Sequence, residues 1–288
     1  MRSVRPSPCP AARGAYPRRS VPRPRCPVAR GVSPRGCLAI LAAYWTLFPG
    51  MPALADNTIS TIERVKGSVV AVGTFERTRT PAFQFRATGF AVGDGSLIAT
   101  NAHALPATLD SEHRETLVVV IPAADQRSQV REVRELAVDL DSDLAVLKMN
   151  GPPLRALKLG APDGAREGQS VLFTGFPIGN VLGVFPATHR GMVAAITPIA
   201  IPPPLAAQLD LRVFRRLTTG SFPVLQLDAT AYPGNSGSPV YDPESGEVLG
   251  IINMVFVKGT KEAALTQPSG ITYAIPASHL QALLAKTN

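Results

Sequence analysis

From residue 68 onward the chain is a succession of short apolar, β-branched runs cut by turn signals, and that pattern points to an all-β fold. The runs fall at 68–74, 87–92, 96–99, 116–121, 130–138 and 144–147, and again at 170–177, 189–196, 224–228, 247–256 and 271–275. Gly93-Asp94-Gly95 is one of the punctuating turns. Between the two sets lies 151–168, with three prolines and four glycines, which reads as a connection between two halves. Helical spacing is confined to the end, where Leu280, Leu283 and Leu284 share one face of a segment at 279–286 that Ser278 is placed to cap. On strand pattern alone a β-sandwich fits as well as a pair of barrels.

The reactive residues narrow the choice. Residues 228–239 read Asp-Ala-Thr-Ala-Tyr-Pro-Gly-Asn-Ser-Gly-Ser-Pro, which sets Ser236 in a tight turn between Gly234 and Gly237. Glycine reaches backbone conformations that a side chain forbids, so the amides of Gly234 and Ser236 can converge on one spot beside the hydroxyl. Such an oxyanion hole is what a serine nucleophile needs, since each lost donor costs about a hundred- to thousandfold in rate. Thr100-Asn101-Ala102-His103 follows one strand run and supplies a base. Ser142-Asp143-Leu144-Ala145 opens another and supplies a carboxylate that can fix the imidazole tautomer. Asp139 and Asp141 are near enough in sequence to compete with Asp143 for that role. The order His103, Asp143, Ser236 is that of chymotrypsin-like double barrels, while other folds use other orders.

Taken together, Thr-Asn-x-His, Ser-Asp-Leu-Ala, Pro-Gly-Asn-Ser-Gly and Gly270-Ile-Thr-Tyr-Ala-Ile-Pro276 resemble the HtrA/Deg branch of the trypsin-like serine proteases, over roughly residues 66–276. The resemblance implies two antiparallel six-stranded β-barrels with a short C-terminal helix. The first barrel is expected within 56–160, and the second, with the helix, within 161–288. It implies a catalytic set of His103, Asp143 and Ser236, an oxyanion hole from Gly234 and Ser236, and chemistry that needs neither metal nor cofactor. The expected substrate is polypeptide, unfolded protein included. In such enzymes an acid on the pocket floor, six residues before the nucleophile, selects Arg or Lys; here that position is Thr230. The facing strand offers Met254, Val255 and Phe256, so the implied pocket is neutral, apolar and narrow, suited to small or medium aliphatic residues. Asn235 stands where zymogens of this kind carry an aspartate that pairs with a new N-terminus, so activation by cleavage is not expected. The segment after the closing strand leaves no room for the PDZ domain that many members carry. Ser238 departs from the family's usual second glycine, which keeps a catalytically silent binding module in view, and an esterase is the other alternative. His113 and His279 have no partner motif, His189 falls near the cleft strands, and none of the three is expected to have a role.

Charge and cysteine use fit an exported protein. The formal net charge is +8, but residues 1–55 hold nine arginines and no acid or lysine, which leaves 20 basic against 21 acidic residues in the remainder. With no basic stripe there, nucleic acid is not an expected partner. Cys9, Cys26 and Cys37 all lie in the same stretch. An apolar run at 37–48, too short to span a bilayer comfortably, precedes the small-x-small triplet Ala53-Leu54-Ala55. Residues 1–55 therefore read as an Arg/Pro-rich leader ending in a signal peptide, with a periplasmic or secreted mature chain starting at Asp56. Membrane contact is expected only if that leader stays uncleaved. Residues 198–222, with four prolines, form a long insertion that either covers or gates the cleft or is a solvated excursion, the two readings standing equal.

Overall fold

The computed structural model describes residues 55–122, 128–162, 164–198, 222–253 and 270–287. Except for Ala55, the leader lies outside these residues, as do most of the 198–222 insertion and Met254, Val255 and Phe256.

The first six strands are β1 (Val69–Phe75), β2 (Phe83–Val92), β3 (Leu97–Asn101), β4 (Thr116–Ile121), β5 (Gln129–Asp139) and β6 (Leu144–Met149). They close antiparallel in the order β1-β2-β3-β6-β5-β4. The second six are β7 (Ser170–Gly175), β8 (Ala187–Pro198), β9 (Pro223–Asp228), β10 (Pro239–Tyr241), β11 (Val248–Ile252) and β12 (Ile271–Pro276). These close in the order β10-β11-β12-β9-β8-β7. The fold is therefore all-β, as the sequence pattern implies, and consists of two closed six-stranded antiparallel barrels, as the resemblance implies. β10 was absent from the sequence expectation because it starts on Pro239, the last residue of the nucleophile motif, and runs only two residues beyond it.

Strand periodicity explains why β1 is apolar on both faces. Val70 and Val72 point into the first barrel with Ile98, Val119 and Leu147. Val69 and Ala71 face the other way, into a cluster shared by both barrels with Phe90, Val146, Phe176, Tyr241 and Ile251. Phe173, Val193, Leu227, Val240 and Ile252 fill the second barrel. The connection at 151–168 is tied to both barrels near its middle, Leu157 N–H donating to the Ala91 carbonyl of β2 and Gly160 N–H to the Val248 carbonyl of β11, each at 2.8 Å.

Helix α1 (Ala55–Lys66) precedes β1 and was not expected. Its anchors are few, which is why no periodicity announces it. Val65 and Ile62 enter the shared cluster, and Arg64 Nη2 donates to the Ser245 carbonyl at 2.7 Å. A one-turn helix α2 (Gly179–Leu182) sits between β7 and β8. The closing helix α3 (Ala277–Ala285) buries Leu280 and Leu283 as expected, but its N-cap position is Pro276 and no side chain caps it. Ser278 lies inside the first turn rather than at its mouth, because the helix starts one residue after the strand ends.

Candidate active site

His103 sits in a short 3-10 turn, Ala102–Ala104, directly after β3. Asp143 heads β6 on the neighbouring strand, where Asn101 pairs with Leu144. Its backbone is in the left-handed region, φ 55°, a conformation that Asp tolerates better than most residues. This turns both carboxylate oxygens onto the histidine. His103 Nδ1 lies 2.6 Å from Asp143 Oδ2, and His103 backbone N–H donates to Oδ1 at 2.9 Å. The Asp143 carbonyl in turn accepts from Asn101 Nδ2 at 3.0 Å and from Ala102 N–H at 3.1 Å. Burial pushes the Asp143 carboxyl up, but the hydrogen bond and charge of His103, its amide, and Asn253 outweigh it and hold the group below the usual carboxylate range. The competing acids have other work. Asp139 Oδ2 accepts from Ser142 Oγ at 2.8 Å and Oδ1 from the Asp141 amide at 3.0 Å, an Asx turn, while Asp141 is exposed.

The Ser236 turn approaches from the second barrel and is fastened to the first. Thr88 on β2 donates its N–H to the Ser236 carbonyl at 2.9 Å. Its hydroxyl donates to the Gly234 carbonyl at 2.8 Å and accepts from Phe176 N–H at 3.1 Å. Asn235 N–H donates to the Tyr232 carbonyl at 2.9 Å, closing a turn whose third residue, Gly234, has φ 103°. A Cβ on Gly234 would run into the Phe176 carbonyl oxygen and the Phe85 ring, so only glycine fits. The amides of Gly234 and Ser236 have no acceptor among the described residues. Ser236 is 6% exposed, and its hydroxyl is not hydrogen-bonded to His103 in this geometry. Ser238, the departure from the glycine pattern, is fully buried. Its Oγ fills the space that a Cβ on Gly175 would take, so the serine is matched by a glycine across the strand pair.

Thr230 is half-buried two residues beyond the end of β9, while Met254, Val255 and Phe256 lie outside the described residues. The structure adds three residues that the sequence reading did not single out. Asn253, fully buried after β11, donates Nδ2 to Asp143 Oδ2 at 2.8 Å. Thr88 joins the barrels under the turn, and Ile178 donates its N–H to the Pro233 carbonyl at 2.7 Å. Thr88 and Asn253 lay in recognised strand runs, 87–92 and 247–256, but none of the three carries a motif of its own. The remaining histidines are apart from the site or stacked beside it. His113 pairs with Asp110 at 2.8 Å on the surface, and His279 rests on Phe222 at 4.2 Å between ring centres. His189 stacks on Phe173 at 4.9 Å, and burial holds its imidazole below the usual range.

Two closed barrels with a His–Asp pair on one and a glycine-framed serine on the other define a chymotrypsin-like peptidase domain. The chain belongs to the trypsin-like peptidase domain family, whose family model matches residues 87–251. Among curated proteins it is similar to a probable periplasmic serine endoprotease DegP-like from Pseudomonas fluorescens, 30% identical over 65% of this chain and 32% of the relative. It is also similar to serine protease HTR4 from Bos taurus, 27% identical over 79% of this chain and 40% of the relative. The chain thus spans about a third to two-fifths of the length of these relatives. Among solved structures it resembles Deg5, with TM-score 0.56 and 24% identity over 80% of this chain and 93% of that one. The HtrA-type protease AlgW with tripeptide gives the same TM-score at 23% identity, over 80% of this chain and 62% of that one.

Proposed function

We propose that this chain is a serine endopeptidase in which Ser236 is the nucleophile, His103 the general base and then acid, and Asp143 its orienter. The observation that supports the reading is the 2.6 Å contact between His103 Nδ1 and Asp143 Oδ2, together with a serine turn whose Gly234 and Ser236 amides have no acceptor among the described residues. With Nδ1–H committed to the carboxylate, Nε2 is left as an acceptor for the serine proton. Attack on a peptide carbonyl then gives a tetrahedral oxyanion held by the Gly234 and Ser236 amides. Collapse transfers the proton from His103 to the leaving amine and leaves an acyl-serine, which water hydrolyses by the same steps. The Ser236 hydroxyl closes on His103 when substrate fills the cleft, as catalytic hydrogen bonds commonly tighten only in the complex.

The substrate class is polypeptide, with a small or medium aliphatic residue before the cut, because Thr230 puts no charge on the pocket floor and a buried unpaired cation there costs several kcal/mol. The named periplasmic relatives and the leader at 1–55 support export with a mature N-terminus at Asp56, which N-terminal sequencing of the exported protein checks. The test of function is cleavage of unfolded casein by the full chain and by Ser236→Ala. The wild type cleaves and the variant does not. Activity that survives in a clean Ser236→Ala preparation refutes the assignment, and absence of cleavage by either returns the silent binding module.

A further inference from the structure

Where β2 runs past the site it carries one residue more than its partner. Along the β1–β2 pair, Val72 faces Ala87 and Gly73 faces Phe85, which leaves Arg86 without a partner across the ladder. Arg86 is the extra residue of a β-bulge, a device that bends a strand, re-aims a side chain and recurs beside active sites. The opposite strand is cut to fit it: a Cβ on Gly73 would lie 2.2 Å from the Gln84 carbonyl oxygen and 2.6 Å from the Phe83 ring. The neighbours of Arg86 belong to the site. The Phe85 ring lies 2.9 Å from where a Cβ on Gly234 would stand, and Thr88 donates its N–H to the Ser236 carbonyl at 2.9 Å. The re-aimed side chain crosses to the His103 turn, where Arg86 Nε donates to the Ala104 carbonyl at 2.5 Å and Nη2 to the Leu105 carbonyl at 3.3 Å. A guanidinium has five N–H donors in a planar fork, and these two bonds use the edge made by Nε and Nη2. The remaining edge, made by Nη1 and the second N–H of Nη2, has no partner among the described residues, and the side chain is exposed. That edge presents two parallel N–H groups, the geometry that grips a carboxylate at two points. Two main-chain carbonyls already hold it in place, so little is left of the side-chain freedom that usually weakens a surface ion pair.

We propose that Arg86 is a specificity-determining residue whose free edge binds a carboxylate on the half of the substrate that leaves first. His103 hands its proton to the departing amine, so that half passes the His103 turn, and the two carbonyls that seat Arg86 follow His103 directly. The carboxylate is an Asp or Glu side chain within two residues of the cut, or the chain terminus when the departing piece is that short. The inference rests on the peptidase reading above, and it adds a cationic subsite after the cut to the neutral pocket before it.

The test uses the full chain and peptides built on a casein site that it cleaves, ended as amides, with Glu or Gln placed one or two residues after the cut. At one of these positions the wild type has a kcat/KM for Glu about fivefold above that for Gln, the upper end for an exposed pair. The ratio shrinks toward one as salt rises to about 1 M. Arg86→Gln brings the ratio to about one, and Arg86→Glu favours Lys over Gln at the same position. Only the ratio is read, because any loosening of the His103 turn slows both peptides alike and cancels, whereas a direct contact appears as coupling between enzyme and substrate changes. A second pair, neutral peptides that stop two residues after the cut as free acid or amide, assigns the source. Preference for the free acid without preference for Glu makes the ligand a terminal carboxylate, and preference for Glu makes it a side chain. The proposal is overturned if the wild type treats charged and neutral forms alike at every position, if its preference survives Arg86→Gln, or if acids act only before the cut. Should Arg86→Gln fail to fold, Arg86→Lys decides: it keeps the charge without the fork, and an undiminished ratio overturns the proposal on the same terms. A wild type that cleaves no casein and whose Ser236 is unreactive defeats the peptidase reading itself, whereas an active wild type blind to the carboxylate defeats only the role of Arg86.

Discussion

Asp143→Asn removes one charge and changes almost no volume, yet the donors around the carboxylate leave an amide no good orientation. Three N–H groups converge there: His103 backbone N–H on Oδ1 at 2.9 Å, and His103 Nδ1 and Asn253 Nδ2 on Oδ2 at 2.6 and 2.8 Å. If the new amide nitrogen takes the Oδ1 site, it opposes the His103 backbone donor. If it takes the Oδ2 site, it opposes the Asn253 amide and forces His103 Nδ1 to accept, which puts the ring proton on Nε2 where the serine proton must go. One buried donor unsatisfied costs ~1–3 kcal/mol of stability, whereas the wrong tautomer costs roughly 10⁴ in kcat, about 5–6 kcal/mol of barrier. The assay is kcat/KM on an aliphatic peptide substrate, with urea unfolding of the same preparation to show that the variant is folded. Activity of Asp143→Asn within about tenfold of wild type, or an equal loss from Asp141→Asn, refutes the reasoning.

Ser236→Ala and His103→Ala combined are no slower than either alone, because the two act as one unit; losses that multiply in a double-mutant cycle on peptide hydrolysis would show two independent roles. Burial holds the His189 and His279 imidazoles below the usual range, with Asp139 partly offsetting the effect on His279. The unfolded chain therefore takes up these protons first, so their contribution to stability is complete above about pH 6.5 and is lost as pH falls through the folded values. His189→Phe keeps a ring against Phe173 and flattens the decline in urea midpoint between about pH 7 and 5 relative to wild type, and identical slopes would contradict this. Mass-spectrometric mapping of cuts in a denatured protein gives a majority after Val, Ala or Ile, with weak choice among them because one methylene is worth only ~1–3 kcal/mol; a majority ending in Arg or Lys would show that the pocket reading is wrong.

The strands were legible wherever β-branched residues run without interruption. Thr116–Ile121 was read at the bounds observed, and β1 and β9 within a residue. Short elements held by a few long-range contacts were not. The anchors of α1 are Ile62, Val65 and Arg64, whose partners lie on the far side of the sequence, and β10 is a strand only because Val240 finds Phe173 and Gly250. At the site, His103, Asp143 and Ser236 stood out because their chemistry demands those residue types in small-residue surroundings. Asn253 and Ile178 act by where a donor points, and nothing in a lone Asn or Ile foretells a bond to a carboxylate 110 residues away or a left-handed backbone.

The most direct measurement of the central claim is reaction of the purified full chain with a serine-directed phosphonate, followed by mass-spectrometric mapping of the label. The account predicts a single adduct on Ser236, formed slowly or not at all in His103→Ala and absent in Ser236→Ala. An adduct on another serine, or none on a folded wild-type chain, contradicts it.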